Sequence, residues 1–385
     1  MQSPLLGALM ALLATSSSLS AATFTVVNTN ASGAGSLQQA ILDANASAGA
    51  DVIAFNIASG GLTIAPTNAL PTITEAVTIN GRSQPGFGSA PIIEINGASA
   101  GAAVDGLKLN ASNCVISALV INRFLGDQIE ITNGANNTVE GCYLGLNLTG
   151  LTDASTGLNG VLLTNSPNNT IGGLAATNRN YISGNNQSGV HLGGATTTNN
   201  VLLGNYIGLN VNNAAIANSA DGVRVNAPFN IIGGSASGSR NIISGNTGQG
   251  IEITTLGTGT MVRGNYIGTD DAGTLDRGNT TDGILVSAGS VIIGGATAGE
   301  GNLISGNNSF GIQLNGVSVT NNLVLGNIIG ATLGGDTGLP NSNDGVQITG
   351  GSRSNIVGGV LAGQANIIAF NGGDGIGIAA ATSNT

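Results

Sequence analysis

His191, Arg224 and Glu252 are the residues best suited to chemistry, and they hold the same place in three short phrases, Val190-His191-Leu192, Val223-Arg224-Val225 and Ile251-Glu252-Ile253. Glu252 could act as an acid or base with His191, the only histidine, as its partner. The bland alternative is a solvated sheet face with one Arg224–Glu252 ion pair worth up to about 1 kcal/mol. Each of the three sits between two apolar residues, so the two-residue alternation of β structure turns it outward. The phrase recurs elsewhere, and the outward stripe reads Lys108, Glu130, Leu162, His191, Arg224, Glu252, Leu285, Gln313, Gln347 and Gly377. Its polar members, Lys108, Glu130, His191, Arg224, Glu252, Gln313 and Gln347, are the candidate ligand-binding residues.

Two further constellations invite chemistry. Asp270, Asp271, Asp276 and Asp282 fall within one loop and could supply oxygen ligands to calcium. The corresponding loops, 208–222 and 330–345, are poorer in acids and likewise end in Asp-Gly, so a structural turn is the stronger reading. Tyr143, Tyr206 and Tyr266 recur in step, with Ile328 next. They could form a sugar-stacking platform, but the replacement by Ile favours an apolar packing slot.

The stripe's spacing dictates what must carry it. Successive members lie 22, 32, 29, 33, 28, 33, 28, 34 and 30 residues apart, too far for hairpins and too regular for chance. The reading is a parallel β-helix that returns to the same place every turn, with about three short strands per coil and Gly and Asn at corners needing positive φ. A longer period overlies it: Gly160, Gly222, Gly283 and Gly345 are 62, 61 and 62 apart. The repeating unit is therefore two coils, one of which carries a long variable loop. The corner residues Asn185, Asn246, Asn307 and Asn371 are expected to stack as a hydrogen-bonded ladder.

Composition agrees. The 385 residues include 64 Gly and no Trp, and only 7% are charged, which suits a narrow core of stacked Val, Ile, Leu and Ala. A formal charge of −10 argues against nucleic acid or anionic membranes as partners. Residues 1–22 contain a short apolar run ending Ser20-Ala21-Ala22 and fit a secretory signal, although no Lys or Arg precedes the run; a disordered or helical N-terminus is the alternative. No later stretch is long and apolar enough for a membrane helix, so the mature chain is expected to be secreted or at the cell surface. Cys114 and Cys142 fall about four residues out of register on neighbouring coils, with Asn113 aligned on Asn137, which favours two buried thiols over a disulfide.

Residues 23–57 read as a strand, a helix and a strand that cap the first coil. Ser36 with Gln39 makes a capping-box pattern; Leu37, Ala40, Ile41 and Ala44 share one face; Gly49 ends the helix. Residues 58–106 form irregular first coils and 107–385 regular ones. The last coil begins at Gly375 with no amphipathic cap after it. It either frays, is covered by another chain through end-to-end association, or continues into a longer protein.

Gly35-Ser36-Leu37-Gln38-Gln39-Ala40-Ile41-Leu42-Asp43-Ala44-Asn45, Leu70-Pro71-Thr72-Ile73, Ser83-Gln84-Pro85-Gly86-Phe87 and the repeated Gly-Asn-Tyr-Ile-Gly and Ile-Ser-Gly-Asn phrases resemble bacterial secreted right-handed parallel β-helix repeat proteins, whose architecture is similar to that of the pectate-lyase superfamily. The resemblance covers nearly all of the chain beyond residue 22. It implies an all-β, single-stranded solenoid with a short helix cap, and a substrate groove along one strand column in those members that are enzymes. A lyase would need acidic calcium ligands beside a basic proton acceptor, and a polygalacturonase three close Asp residues; the stripe supplies neither. The function expected is thus an extracellular structural or adhesive β-helix that binds carbohydrate or a cell-surface glycan without a clear catalytic site, with calcium the one candidate cofactor. The alternative is a polysaccharide lyase or glycoside hydrolase working through the exposed stripe.

Overall fold

The computed structural model describes residues 21–58 and 61–385 as three parallel sheets of 12, 11 and 10 strands. From Leu107 on each coil contributes one strand to each sheet, the earlier coils adding strands only to the first two, and each strand pairs with its equivalents in the neighbouring coils. The third sheet carries the stripe, and all ten positions stand in register: Lys108 opposite Glu130, Glu130 opposite Leu162, and so on through Gln347 opposite Gly377. Val223, Ile251, Ile284, Ile312 and Val346 form one vertical file facing inward. Every member of that file is fully buried, as alternation requires.

The strand-opening glycines have a different reason from the one the sequence suggests. Gly222 does not have positive φ; instead a Cβ there would lie 2.5 Å from Ile243 Cγ2, 2.7 Å from the Gly250 carbonyl oxygen and 2.8 Å from Asn246 Nδ2. The coil above is simply too close for a side chain. Positive φ does fall on corner asparagines such as Asn136, Asn168, Asn199 and Asn321, and on glycines such as Gly245 (φ 73°), each just before a ladder asparagine rather than at it. This frees the ladder asparagines to stack.

They stack in three ladders rather than one. At the corner entering the third sheet, Asn185, Asn218, Asn246, Asn279, Asn307, Asn341 and Asn371 are linked, each Nδ2 donating to the Oδ1 of the next at 2.9 Å. The expected file was therefore missing every second member. A second ladder runs from Asn180 through Asn205, Asn241, Asn265, Asn302 and Asn327 to Asn366. A third is interrupted at Thr260, whose buried hydroxyl has no partner among the described residues. These buried amides satisfy both their own polar groups and the backbone N–H groups of the corners.

Cys142 and Cys114 occupy the first rungs of the second and third ladders, their backbone N–H groups donating to Asn180 and Asn137. Both are free and buried. The register differs by one from the sequence alignment, because Val115, not Cys114, sits opposite Thr138. Burial pushes the Cys142 thiol up to about 12.

At the N-terminal end, strands Thr23–Val26 and Asp51–Phe55 open the first sheet, and helix Leu37–Ala46 lies between them. Its buried face is Leu37, Ala40, Ile41 and Ala44. Ser36 caps it by accepting from Gln39 N at 3.2 Å, but the box is half closed: Gln39 Nε2 turns to Asp43 instead. The C-cap is Ser47, ahead of Gly49. At the other end Ile356, Ile367, Ile376 and Ile378 are exposed. The signal-peptide expectation lies outside the described residues save for Ala21 and Ala22; among the described residues no helix is long and apolar enough to cross a membrane.

Candidate functional site

The third sheet's outward face is polar but not continuous. Leu162 and Leu285 divide it into three patches: Lys108 with Glu130, His191 with Arg224 and Glu252, and Gln313 with Gln347. Beside it runs a second column, three residues earlier in each coil, that the sequence reading overlooked. Its acids are Asp105, Asp127, Asp221, Asp282 and Asp344, each accepting from a backbone N–H of the next coil: Asp127, Asn159, Gln249, Phe310 and Asp374. The Asp-Gly pairs read as turn chemistry were the available signal. In Asp105, Asp221 and Asp344 the second oxygen meets the stripe, at Lys108, Arg224 and Gln347.

In the first patch the Lys108 ammonium pairs with Glu130 and lies 3.8 Å from Asp105. Burial, reinforced by Glu130, pushes Asp105 up to about 6, while Glu130 is held below its usual range by Lys108 and Thr132 against its own desolvation. The middle patch has the same design. Arg224 Nη1 stands 2.5 Å from Glu252 Oε2 and 3.4 Å from Asp221 Oδ2. One guanidinium neutralises one carboxylate, so the carboxyl pair retains a proton: burial first, then the hydrogen bond and charge of Asp221, raise Glu252 to about 7 despite Arg224. His191 faces Arg224 in register; burial and that cation hold its pKa down, against a weaker pull from Asp221. Its Nε2 is buried with no partner among the described residues. In the third patch the Gln347 amide nitrogen, so oriented, reaches the Gly377 carbonyl and Asp344 Oδ2 at 2.9 Å each.

The four candidate calcium ligands are not brought together. Asp270 Oδ1 accepts from Thr274 and Leu275 N–H, Asp276 Oδ1 from Gly278 N–H and Asp282 Oδ1 from Phe310 N–H, while Asp271 accepts from the Tyr206 hydroxyl and Asn213 Nδ2. Among the described residues no group of three His, Cys, Asp or Glu is arranged to hold a metal. Tyr143, Tyr206 and Tyr266 are buried beneath the long loops, in the packing slot, and Tyr181 stands between the first two at ring distances of 5.4 and 5.1 Å.

A cleft the sequence reading did not find lies at the corner between the first and second sheets. It holds about 330 Å³ and is lined by Arg179, Tyr206, the 234–240 loop and Asp271.

No family model and no curated protein sequence matches the chain. Solved structures do. The Dettilon tailspike protein superposes with a TM-score of 0.58 at 16% identity, over 93% of this chain and 68% of that one. The A-module of the Azotobacter vinelandii mannuronan C-5 epimerase AlgE6 superposes at 0.51 and 18% identity, over 91% and 94%. The chain is a right-handed parallel β-helix. At these identities the likeness is one of fold, and function must come from the sites.

Proposed function

We propose that this β-helix is an extracellular or cell-surface protein that binds carbohydrate along the outward face of its third sheet without turning it over. The observation that carries the reading is the Asp221–Arg224–Glu252 cluster, in which one guanidinium nitrogen stands against both carboxyls, 3.4 Å from Asp221 and 2.5 Å from Glu252. Glycoside hydrolases hold their carboxyl pair about 5 to 9.5 Å apart, with the sugar between. Here no room is left between them. What remains is a flat row of hydrogen-bonding groups at steps of about 4.8 Å, suited to the hydroxyls of an extended glycan. A tailspike and a mannuronan epimerase among the structural neighbours are in keeping with a saccharide ligand.

A second reading has its own support. Glu252 near 7 and an imidazole whose pKa is held down, on the far side of Arg224, supply an acid and a base in one patch. Incubation with acidic and neutral polysaccharides, with and without calcium, separates the two. The binding reading expects retention on a polysaccharide that weakens in Arg224→Ala, with no new reducing ends or unsaturated products. Turnover lost in Glu252→Ala or His191→Ala would establish the catalytic reading instead, and no retention on any glycan would end both.

A further inference from the structure

Five of the nine Lys and Arg side chains are spent on ion pairs, at Arg82, Lys108, Arg123, Arg224 and Arg263. Arg179 and Arg240, in a chain of net charge −10, have no carboxylate partner among the described residues. Each instead lies over a tyrosine ring: the Arg179 guanidinium carbon is 4.2 Å from the Tyr206 ring centre and that of Arg240 is 3.9 Å from the Tyr266 ring centre. Stacking restrains each guanidinium; Arg179 Nε also donates to the Gly204 carbonyl at 3.3 Å, which leaves its two Nη groups, and the whole N–H edge of Arg240, for an oxyanion. Both line the corner cleft, and a smaller cavity of about 160 Å³ continues past Arg240.

The cleft departs from its own repeat. Arg179 and Arg240 directly precede the ladder residues Asn180 and Asn241, two coils apart, or about 9.6 Å along the axis. In the next two repeats the position is Gly301 and Ala365, and a Cβ on Gly301 would come within 2.0 Å of the Gly326 carbonyl. The loop between the sheets changes too. Ser235 and Ser237 stand where sister loops have Leu174 and Ala176, or Ala296 and Ala298. Both are exposed, and neither hydroxyl is hydrogen-bonded among the described residues. Asp271, the one acid in the lining, is held by the Tyr206 hydroxyl and Asn213, so the cleft sets two cations against one anion.

We propose that this corner cleft is a second binding site, for an acidic saccharide whose carboxylate or sulfate oxyanion is gripped by Arg179 and Arg240 while Ser235 and Ser237 meet its hydroxyls. The site shares with the function proposed above only the saccharide nature of the ligand; it lies on a different face and uses none of the stripe residues. Its span of two coils suits oxyanions on neighbouring or alternate sugars of one chain.

Calorimetry on the full chain tests it, using a uronate oligosaccharide, a sulfated oligosaccharide, a neutral oligosaccharide and inorganic sulfate. Either acidic oligosaccharide should bind more tightly than the neutral one. That binding should weaken about tenfold or more in Arg240→Gln and in Arg179→Gln, yet be unchanged in Arg353→Gln, an exposed arginine outside both sites. Arg240 is exposed, so its loss leaves the fold intact. Equal affinity for neutral and acidic sugars, or indifference to both substitutions, overturns the site. Inorganic sulfate binding as tightly as the sulfated sugar overturns the saccharide part of it. Loss of acidic-sugar binding in Arg224→Gln alone would move the ligand to the stripe, so failure here and failure of the stripe reading give different patterns.

Discussion

Glu252→Gln should flatten part of the pH dependence of stability, and the size of the effect follows from the carboxyl pair. The native state holds the Glu252 proton up to about pH 7, against 4.5 for an ordinary glutamate. Between those values the folded chain binds more protons than the unfolded one, so stability falls as pH rises and levels off above about 7. At about 1.4 kcal/mol per tenfold change in proton affinity, the full gap corresponds to about 3 kcal/mol. The cluster meets solvent through Arg224, whose side chain is 41% exposed against 19% for Glu252, so screening reduces the expected effect to about 1 kcal/mol. Glutamine mimics the protonated carboxyl and cannot ionise. The variant should therefore match the wild type at about pH 4 and exceed it in urea midpoint by a growing margin up to about pH 8. His191 acts in the opposite sense, since its lowered pKa makes stability rise with pH up to about 6.5, but it is common to both proteins. A difference between variant and wild type that stays constant with pH, or grows toward acid, would refute the argument.

Asn246→Ala removes the acceptor for Asn218 and the donor to Asn279 in the middle of a buried ladder, and should cost about 2 to 3 kcal/mol by urea denaturation, against little for the exposed Asn212→Ala. Gly222→Ala forces a methyl against the coil above; a loss of about 1 to 3 kcal/mol is expected, and a neutral result would mean that the coils can part there. Cys114 and Cys142 should be silent to a thiol reagent in the native protein and both react after unfolding; no thiols in denaturant would reveal a disulfide instead.

The architecture was legible because its cause is repetitive. A strand that must return to one vertical file imposes period two within the phrase Gly222-Val223-Arg224-Val225 and a near-constant step between phrases, and both are visible without coordinates. The helix face at Leu37, Ala40, Ile41 and Ala44 was legible for the same reason. What escaped were features set by contacts between coils. That Gly222 answers to Gly250 and Asn246 is a matter of distance, and nothing in Gly222 distinguishes that demand from one for positive φ. The Asp221 column was taken for turn formation because its first task, bonding the next coil's N–H, is indeed that of a turn residue; its nearness to Arg224 depends on how the corner aims the second oxygen. Arg179 and Arg240 fell outside the stripe, and only stacking two coils apart brings them to one cleft.

The long loops at 145–158, 208–221, 268–282 and 330–344 occur on every second coil, and each reaches over the intervening one to its counterpart: Val211 N–H donates to the Gly150 carbonyl, Arg277 to Asn213, and Leu333 N–H to Gly273. Deleting a single short turn would set two overhangs on adjacent storeys, where they would collide, and deleting a single loop-bearing turn would leave its neighbours' overhangs without a counterpart to reach. Deleting two turns would simply shorten the column. Growth and loss of length in this molecule are thus quantised in pairs, and an engineer who wants to move its two faces apart or together has a ruler marked only at double intervals.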